Sequence, residues 1–235
     1  MELQLPKHVG IICDGNRRFA KTLGKELTKG HEYGADKIED VLDWCREVGI
    51  KTLTLWLFST ENFTRSAEEL DALFKLAEKT AHKFADDKRT HEHKIKLNVV
   101  GDTDKFPDSV KNALNYALEK TKNYDNFNLN VAVGYGGKNE IVSAVKKIAQ
   151  LVKEGKLNPD DITKELFETY LYSANLPDVD LVIRTSGEKR TSGFLMWKTD
   201  YAEYYFTEKY WPEFEKEDFL NALVDYSERK RRFGK

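Results

Sequence analysis

The segment HVGIICDGNRRF, residues 8–19, indicates an α/β fold with a ligand site at a strand end. Its first six residues are almost continuously apolar, which is typical of a strand buried on both faces of a parallel sheet. Asp14, Gly15 and Asn16 follow directly, and two arginines come after them. Gly15 lets the backbone approach a ligand closely. If Asn16 begins a helix, its free N–H groups favour an anion.

Outside this segment, short β-rich apolar runs alternate with longer runs of helical period. The predicted strands span residues 8–13, 52–58, 95–100, 128–133, 181–184 and 204–206. Apolar stripes predict helices around residues 38–48, 70–84, 110–118, 141–152, 167–171 and 219–226. Gly49 ends the first of these, and a capping box at residues 66–69 begins the second. This alternation predicts one α/β domain over residues 1–235, with a mostly parallel central sheet of about six strands wrapped by helices.

Composition restricts the classes of protein that fit. The 235 residues include 38 lysines and arginines against 40 aspartates and glutamates, a net charge of −2 that argues against a nucleic-acid partner. Cys13 and Cys45 have neither disulfide nor metal-ligand spacing. The N-terminus is too polar for a signal peptide, and no run of 18 apolar residues suggests a membrane span. We therefore expect a cytoplasmic protein that can still rest on a membrane surface.

The acidic residue after the first predicted strand is Asp14. Its carboxylate would repel a bare phosphate, so its place beside Arg17 and Arg18 predicts a divalent cation between them. Mg²⁺ commonly binds through one or two carboxylates together with substrate phosphates. In the structural alternative, Asp14 caps the following helix, and spacing alone does not decide between the two.

Polar or glycine-rich segments also follow three of the other strands. After the second strand, residues 59–65 (STENFTR) either orient a ligand or form an ordinary loop. After the fourth, the glycines of residues 134–137 favour a tight turn over a dinucleotide site. After the fifth, residues 184–193 (RTSGEKRTSG) combine three cations with hydroxyls, as phosphate binding requires, although a solvated basic loop would look similar. Asp200 or Glu203 could supply a second carboxylate for the metal.

Taken in order, these motifs resemble the cis-prenyltransferases, the undecaprenyl-diphosphate-synthase-like family. The matching blocks are Asp14-Gly15-Asn16-x-Arg18-Phe19-Ala20, Gly30-His31, Phe58-Ser59-Thr60-Glu61-Asn62, Gly134-Tyr135-Gly136-Gly137, Arg184-Thr185-x-Gly187-Glu188-x-Arg190-x-Ser192, Tyr201-Ala202-Glu203 and Arg232-Phe233-Gly234. Each block is modest evidence, whereas the whole series in order covers nearly the entire chain.

The resemblance implies a homodimer with an apolar tunnel, acting on an allylic diphosphate and isopentenyl diphosphate. It implies Mg²⁺ held by Asp14, with Glu203 as a second acid, and Asn62 where the condensation proton is lost. The implied substrate contacts are Gly15, Asn16, Arg17, Arg18, Phe19, His31, Ser59, Thr60, Glu61, Phe63, Arg65, Arg184, Arg190, Thr191 and Ser192, with Arg232 and Gly234 reaching a neighbouring subunit's site. It also allows peripheral membrane contact when the lipid product leaves.

Three functions compete at this point. An elongating enzyme would add isopentenyl units in cis. Leu27 replaces an arginine common near the allylic diphosphate, and Leu57 is bulky where a small residue is common, so a different acceptor or a single condensation is a second hypothesis. Leu57 also predicts a short- to medium-chain product. A non-catalytic partner subunit is the third, and Asp14 with the Arg184 and Arg190 cluster argues against it.

Overall fold

The central sheet is parallel throughout. The computed structural model describes residues 4–229. Within them, the strands are β1 His8–Ile12, β2 Thr52–Ser59, β3 Ile95–Val100, β4 Phe127–Tyr135, β5 Leu181–Arg184 and β6 Glu203–Phe206. They form one sheet in the order β3-β4-β2-β1-β5-β6, and every neighbouring pair is parallel. The α/β fold predicted from the sequence is therefore confirmed.

Helices connect the strands. Between residues 4 and 229 the α-helices are α1 Asn16–Thr22, α2 Leu27–Val48, α3 Ala67–Asp86, α4 Lys88–Glu92, α5 Asp108–Thr121, α6 Gly137–Lys153, α7 Lys164–Glu168 and α8 Lys216–Glu228. Short 3₁₀ turns occupy Thr60–Thr64, Pro159–Asp161 and Trp211–Glu213. No helix in this part of the chain combines the length and apolar character needed to cross a bilayer.

The predicted strands are present with small shifts at their ends, whereas α2 begins at Leu27, eleven residues before the apolar stripe that predicted it. Each strand end lies within two residues of its predicted position, and Gly49 ends α2 in the left-handed conformation with φ 88°. The helix predicted around residues 167–171 is shorter, because α7 ends at Glu168. Leu171 follows in a tighter turn, where its amide donates to the Glu168 carbonyl at 3.1 Å.

The core explains how the strands are held. Ile38, Val41 and Leu42 on α2 pack with Ile11 of β1 in the largest apolar cluster. The next residue of β1, Ile12, belongs to a different cluster, because side chains alternate between the two faces of a strand. Burial on both faces fixes β1 in the middle of the sheet, so its carboxyl end is a rigid support for the residues that follow.

The strand order creates a crevice beside β1. The chain passes from β1 to β2 on one side, and it returns much later as β5 on the other side. Such a reversal of strand order is where ligands bind in open parallel sheets, beyond the carboxyl ends of the strands. The residues after β1 and β5 therefore occupy the position favoured for a site.

Candidate active site

A cavity of about 470 Å³ opens at the carboxyl ends of β1, β2 and β5. The predicted site residues that line it are Asp14, Gly15, Asn16, Arg17, Arg18, His31, Ser59, Asn62, Arg65, Arg184 and Ser192. These residues come from distant parts of the sequence. They meet because the carboxyl ends of parallel strands lie at one edge of the sheet.

Asp14 lies between two arginines that come from different strand ends. Its Oδ2 accepts a hydrogen bond from Arg184 Nη2 at 2.9 Å, and its Oδ1 lies 3.5 Å from Arg18 Nη2. The Thr185 hydroxyl lies 2.9 Å from the Asp14 amide nitrogen and 2.7 Å from its carbonyl oxygen. Gly15, with no side-chain cap, precedes α1, so the alternative in which Asp14 caps this helix is wrong.

The Asp14 carboxyl group is held in its ionised form. Burial raises its pKa, but the hydrogen bond and charge of Arg184, together with the charge of Arg18, outweigh burial and lower the pKa below its ordinary value. Between residues 4 and 229, no group of three or more His, Cys, Asp or Glu side chains could hold a metal ion by itself. One ionised carboxylate fits Mg²⁺ if substrate phosphates supply further ligands.

Gly15 allows the turn between β1 and α1. Its φ is 105°, and a Cβ there would lie 2.7 Å from the Tyr210 ring and 2.9 Å from the Ser186 Cβ. A side chain would therefore be strained and would clash. Arg18 follows on α1, donates to the Ser186 hydroxyl at 2.5 Å, and lies 5.7 Å from the centre of the Tyr210 ring. These contacts aim the Arg18 guanidinium at the cavity.

A second group of cations surrounds Glu69. Arg65 Nη1 donates to Glu69 Oε1 at 3.0 Å, and the same oxygen lies 3.6 Å from His31 Nε2 and 3.7 Å from Arg17 Nε. Burial, and after it the charge of Arg65, lowers the pKa of His31 to about 4. The His31 ring is therefore neutral near pH 7, and Arg17 and Arg65 supply the positive charge on this side.

His31 reaches the cavity because α2 passes very close to α1. A Cβ at Gly30 would lie 2.0 Å from the carbonyl oxygen of Asn16, so only glycine permits this contact. The Asn16 side-chain oxygen is buried and has no hydrogen-bond partner among the described residues. The Gly30-His31 pair thus combines close helix packing with a cavity-lining side chain.

The 3₁₀ turn after β2 closes on itself. Asn62 Oδ1 accepts from the Ser59 amide at 3.0 Å, and the Ser59 side chain accepts from the Asn62 amide. Ser59 and Asn62 line the cavity. Thr60 turns toward Gly136, where a Cβ would lie 2.5 Å from its hydroxyl, and Glu61 is exposed. The turn therefore presents two of its four predicted polar residues to the cavity.

Arg184 connects the two sides of the crevice. Its side chain is 5% exposed, and Nη1 donates to the Ser192 hydroxyl at 2.8 Å and to the Arg190 carbonyl. The Arg190 side chain is 60% exposed and pairs with Glu188. Glu188 also lies 3.2 Å from Arg18 Nη1. The Glu188 carboxylate therefore contacts one cation from each of two arginine clusters, Arg17 with Arg18 after β1 and Arg184 with Arg190 after β5.

An apolar pocket continues from the cavity between α2, α3 and α5. Leu57 and Phe58 line both spaces. Phe63 packs against Phe58 with ring centres 4.9 Å apart and against Phe106 at 5.2 Å. The apolar tunnel that the family resemblance implies stays a prediction.

Several predicted residues do not line the cavity. Phe19 packs edge-on against Tyr33 with ring centres 5.7 Å apart, and Thr191 lies in the loop after β5. Glu203 begins β6 beside Leu181, whereas Arg184 lies beside Phe206, so about 10 Å of strand separates Glu203 from the level of Arg184.

The Glu203 carboxylate has a different partner in the chain. It accepts from Arg229 Nη1 at 2.8 Å. The metal role implied for Glu203 stays a prediction. Arg232 and Gly234, implied to reach a neighbouring subunit, lie outside the described residues.

Glu69 and Tyr210 contact site residues but were not predicted from the sequence. Ser186 and Glu188 lie within the predicted motif of residues 184–193, although neither was assigned a contact. Glu69 had a usable signal, because it follows Arg65 by four residues, the spacing of a helical ion pair. It was interpreted as part of the capping box. Ser66 does accept from the Glu69 amide at 3.3 Å, but the Glu69 carboxylate points to the cations. Tyr210 had no comparable signal.

Comparison with known proteins identifies the family of the chain. The prenyltransferase family model for undecaprenyl diphosphate synthases matches residues 12–234. The tritrans,polycis-undecaprenyl-diphosphate synthase (geranylgeranyl-diphosphate specific) of Methanocaldococcus jannaschii is 51% identical over 233 residues, which cover 98% of this chain and 83% of that protein. The protein of the same name from Methanopyrus kandleri is 49% identical over 234 residues, covering 100% and 86%.

A solved structure agrees with the sequence relatives. The crystal structure of lavandulyl diphosphate synthase from Lavandula x intermedia, in complex with dimethylallyl diphosphate, matches with a TM-score of 0.91 and 35% sequence identity. The match covers 98% of this chain and 99% of the plant chain. The family model, the two relatives and the solved structure all indicate the same family. The chain therefore belongs to the prenyltransferase family of undecaprenyl diphosphate synthases and is a cis-prenyltransferase.

Proposed function

We propose that this enzyme condenses an allylic diphosphate with isopentenyl diphosphate in the cis configuration, releases diphosphate and depends on Mg²⁺. The main support is the meeting of two arginine clusters on one carboxylate. Arg18 approaches Asp14 Oδ1, and Arg184 approaches Oδ2. Two diphosphate substrates need two cationic binding sites, and Asp14 lies between the two clusters.

Charge separation is the main demand of this reaction. The allylic C–O bond breaks, positive charge grows on carbon, and the electron pair leaves with the diphosphate. Arg17 and Arg18 would stabilise that leaving group from the primer side. Asp14 would hold Mg²⁺ jointly with diphosphate oxygens, and an ion bound there would neutralise negative charge on the leaving group. Glu203 is a weaker candidate for a second acid, because Arg229 occupies its carboxylate within the chain.

The acceptor would bind on the β5 side. Arg184, Arg190 and Ser192 would hold the diphosphate of isopentenyl diphosphate, whose double bond attacks the allylic carbon. A new C–C bond forms, and a proton leaves the acceptor. Asn62 and Ser59 would lie where this proton is lost, since both line the cavity and are fixed by their mutual hydrogen bonds.

The names of the archaeal relatives suggest the primer. Both are called geranylgeranyl-diphosphate specific. We propose the same primer here, with its tail in the apolar pocket beside Leu57 and Phe58.

A homodimer also belongs to the proposal. Val142 and Val145 on α6 are 51% and 52% exposed, and Met196 and Tyr201 are also exposed. Burial of such side chains against a second copy would be favourable. Light scattering should give twice the mass of one chain, and a monomer at micromolar concentration would contradict this part.

A primer panel tests the proposed reaction. The purified protein is incubated with Mg²⁺, labelled isopentenyl diphosphate and, separately, dimethylallyl, geranyl, farnesyl or geranylgeranyl diphosphate. Chromatography identifies the products, and NMR identifies the geometry of each new double bond. We expect geranylgeranyl diphosphate to be the best primer and every new double bond to be cis. Trans products, or no incorporation with any primer, would contradict the proposal.

The same panel decides a second candidate, a single condensation. This candidate is favoured by the structural neighbour, which is named a lavandulyl and not a polyprenyl diphosphate synthase. A product that stops after one added unit at excess isopentenyl diphosphate would support it. A series of longer products would exclude it.

A further inference from the structure

Three cavity-lining side chains converge on one carboxylate oxygen that lies behind them. Arg17 comes from α1, His31 from α2, and Arg65 from the residues just before α3. All three line the cavity. Their nitrogens lie 3.7, 3.6 and 3.0 Å from the same atom, Oε1 of Glu69.

Glu69 itself does not line the cavity. Its side chain is 11% exposed, and it lies in the first turn of α3, where a negative charge is favoured by the helix dipole. Contact with substrate would therefore pass through Arg17, His31 and Arg65, and Glu69 would act only through them.

The arrangement has a physical consequence for the arginines. Arg17 and Arg65 carry like charges on the same wall, and a free arginine side chain loses much rotamer freedom when it is fixed. The shared carboxylate offsets the repulsion and limits the positions available to both guanidinium groups. A diphosphate would then meet donors that are already oriented, and it would lose less free energy in ordering them.

We propose that Glu69 is a positioning residue that orients Arg17 and Arg65 for the primer diphosphate, an inference that depends on the proposed function for the identity of the substrate. The direction of the change in diphosphate binding distinguishes this role from simple repulsion of anions by Glu69. If Glu69 only repelled anions, its neutralisation would strengthen diphosphate binding. If it positions the arginines, neutralisation weakens binding although the wall becomes more positive.

The test compares the full-length wild type with Glu69→Gln and with Glu68→Gln. Glu68 is the matched control, because it lies in the same first turn of α3 but is exposed. Calorimetry measures the binding of inorganic pyrophosphate, which requires no turnover. Steady-state kinetics then measures KM for geranylgeranyl diphosphate and for isopentenyl diphosphate separately, and thermal melting checks folding.

For Glu69→Gln we expect pyrophosphate affinity to fall and primer KM to rise, each about tenfold. This is the low end of the effect seen when a residue that orients metal ligands is removed. The KM for isopentenyl diphosphate should change less than about twofold, within the scatter of uncoupled positions. Glu68→Gln should match the wild type. Tighter pyrophosphate binding, equal changes in both KM values, or the same change in the control would overturn the proposal.

Two further outcomes are also decisive. If Glu69→Gln fails to fold, Glu69→Asp keeps the charge but withdraws the carboxylate, and it should show the same selective primer defect to a smaller degree. An Asp variant that folds and behaves as wild type would overturn the proposal. If the wild type turns over none of the primers, the proposed function fails, while pyrophosphate binding still tests whether Glu69 orients the arginines.

Discussion

Arg184 Nη2 lies 2.9 Å from Asp14 Oδ2, so a charge-assisted hydrogen bond joins the carboxyl ends of β5 and β1. The Arg184 side chain is 5% exposed, and the Asp14 side chain is 31% exposed. The buried member of the pair thus comes from the proposed acceptor side, and the accessible carboxylate faces the cavity. A substitution of Arg184 should therefore weaken binding at both proposed diphosphate sites, with the larger effect at the acceptor site.

Arg184→Gln should raise KM for isopentenyl diphosphate far more than KM for the primer. Removal of one charged partner of a buried phosphate contact costs roughly 2–5 kcal/mol. Arg190→Gln should act in the same direction but less, because the Arg190 side chain is 60% exposed and solvent screens its charge. Initial rates with each substrate varied in turn measure both effects. A larger change in primer KM would mean that the two sites are reversed.

Leu57→Ala should lengthen the product made from one primer. Leu57 is 38% exposed and lies where the cavity meets the apolar pocket, so its side chain occupies space that a growing chain would need. Overpacking of a protein interior typically costs about 1–3 kcal/mol, enough to favour release over another condensation. Leu220→Ala is the control, since Leu220 is equally exposed but lies on α8.

Chromatography of the products gives the answer. We expect a short- to medium-chain product from the wild type and from Leu220→Ala, and longer products from Leu57→Ala. The archaeal relatives are named undecaprenyl-diphosphate synthases, so product length tests the Leu57 interpretation directly. A wild-type product of ten or eleven units, or no lengthening in the variant, would contradict it.

Deletion of residues 232–235 should lower turnover if Arg232 and Gly234 complete a neighbouring subunit's site, as the resemblance implies. These residues lie outside the described part of the chain. The alternative is a charged tail with no role in the reaction. Kinetics of the truncated enzyme decide between them, with light scattering as a check that truncation leaves the oligomeric state unchanged. Unchanged kinetics would favour the tail.

Acid should destabilise the fold through His8. This side chain is fully buried, its Nδ1 lies 2.9 Å from the Pro177 carbonyl oxygen, and its Nε2 lies 2.7 Å from the Thr54 hydroxyl. Because the carbonyl can only accept, Nδ1 carries the proton and Nε2 accepts from Thr54. Burial is the main cause that lowers the pKa of His8 from 6.5 to about 4.

The sign of the effect follows from that shift. Below pH 6.5 His8 becomes protonated in the unfolded chain, whereas in the folded chain it stays neutral until the pH falls to about 4. The stability is therefore full above about pH 6.5 and is lost as the pH falls toward 4, by roughly 3 kcal/mol for this group. Denaturant unfolding should give a flatter profile over this range for His8→Gln than for the wild type. The exposed His82→Gln serves as control, and an equal slope in all three proteins would contradict the assignment.

The fold was predictable because its signals are strong and local. Strands such as Ile95–Val100 and Leu181–Arg184 were placed correctly, since strands buried in a parallel sheet read as apolar runs. The end of β2 was less regular, because the pairing of β2 with β4 shifts register between Trp56 and Phe58. Such irregularity depends on the partner strand, which the sequence of β2 alone does not reveal.

From residue chemistry alone, the site was predictable where polar and charged residues follow a strand end, whereas His31 on α2 was predicted only through the family resemblance. That rule placed Asp14 and Arg184 in one cavity. The rule could not place Glu203, because the sequence does not show whether this residue begins or ends a short strand. In the structure it begins β6 and so lies away from the carboxyl end. Glu69 was missed because a local role, the capping box, already explained it. Its contacts with Arg17 and His31 depend on how three helices meet, which no local pattern records.

If Asp14 and its arginines form the catalytic centre of a Mg²⁺-dependent cis-prenyltransferase, loss of the Asp14 carboxylate should remove most of the metal-dependent turnover. The most direct measurement is incorporation of labelled isopentenyl diphosphate by wild type and Asp14→Ala side by side, with Mg²⁺ and with a chelator. Asp102→Ala, which changes another aspartate just after a strand, is the control. We predict chelator-sensitive incorporation by wild type and control, and a loss of roughly three orders of magnitude in a folded Asp14→Ala, because metal-assisted departure of the diphosphate is worth several kcal/mol. Near-normal, Mg²⁺-dependent incorporation by Asp14→Ala would show that Asp14 does not hold the metal.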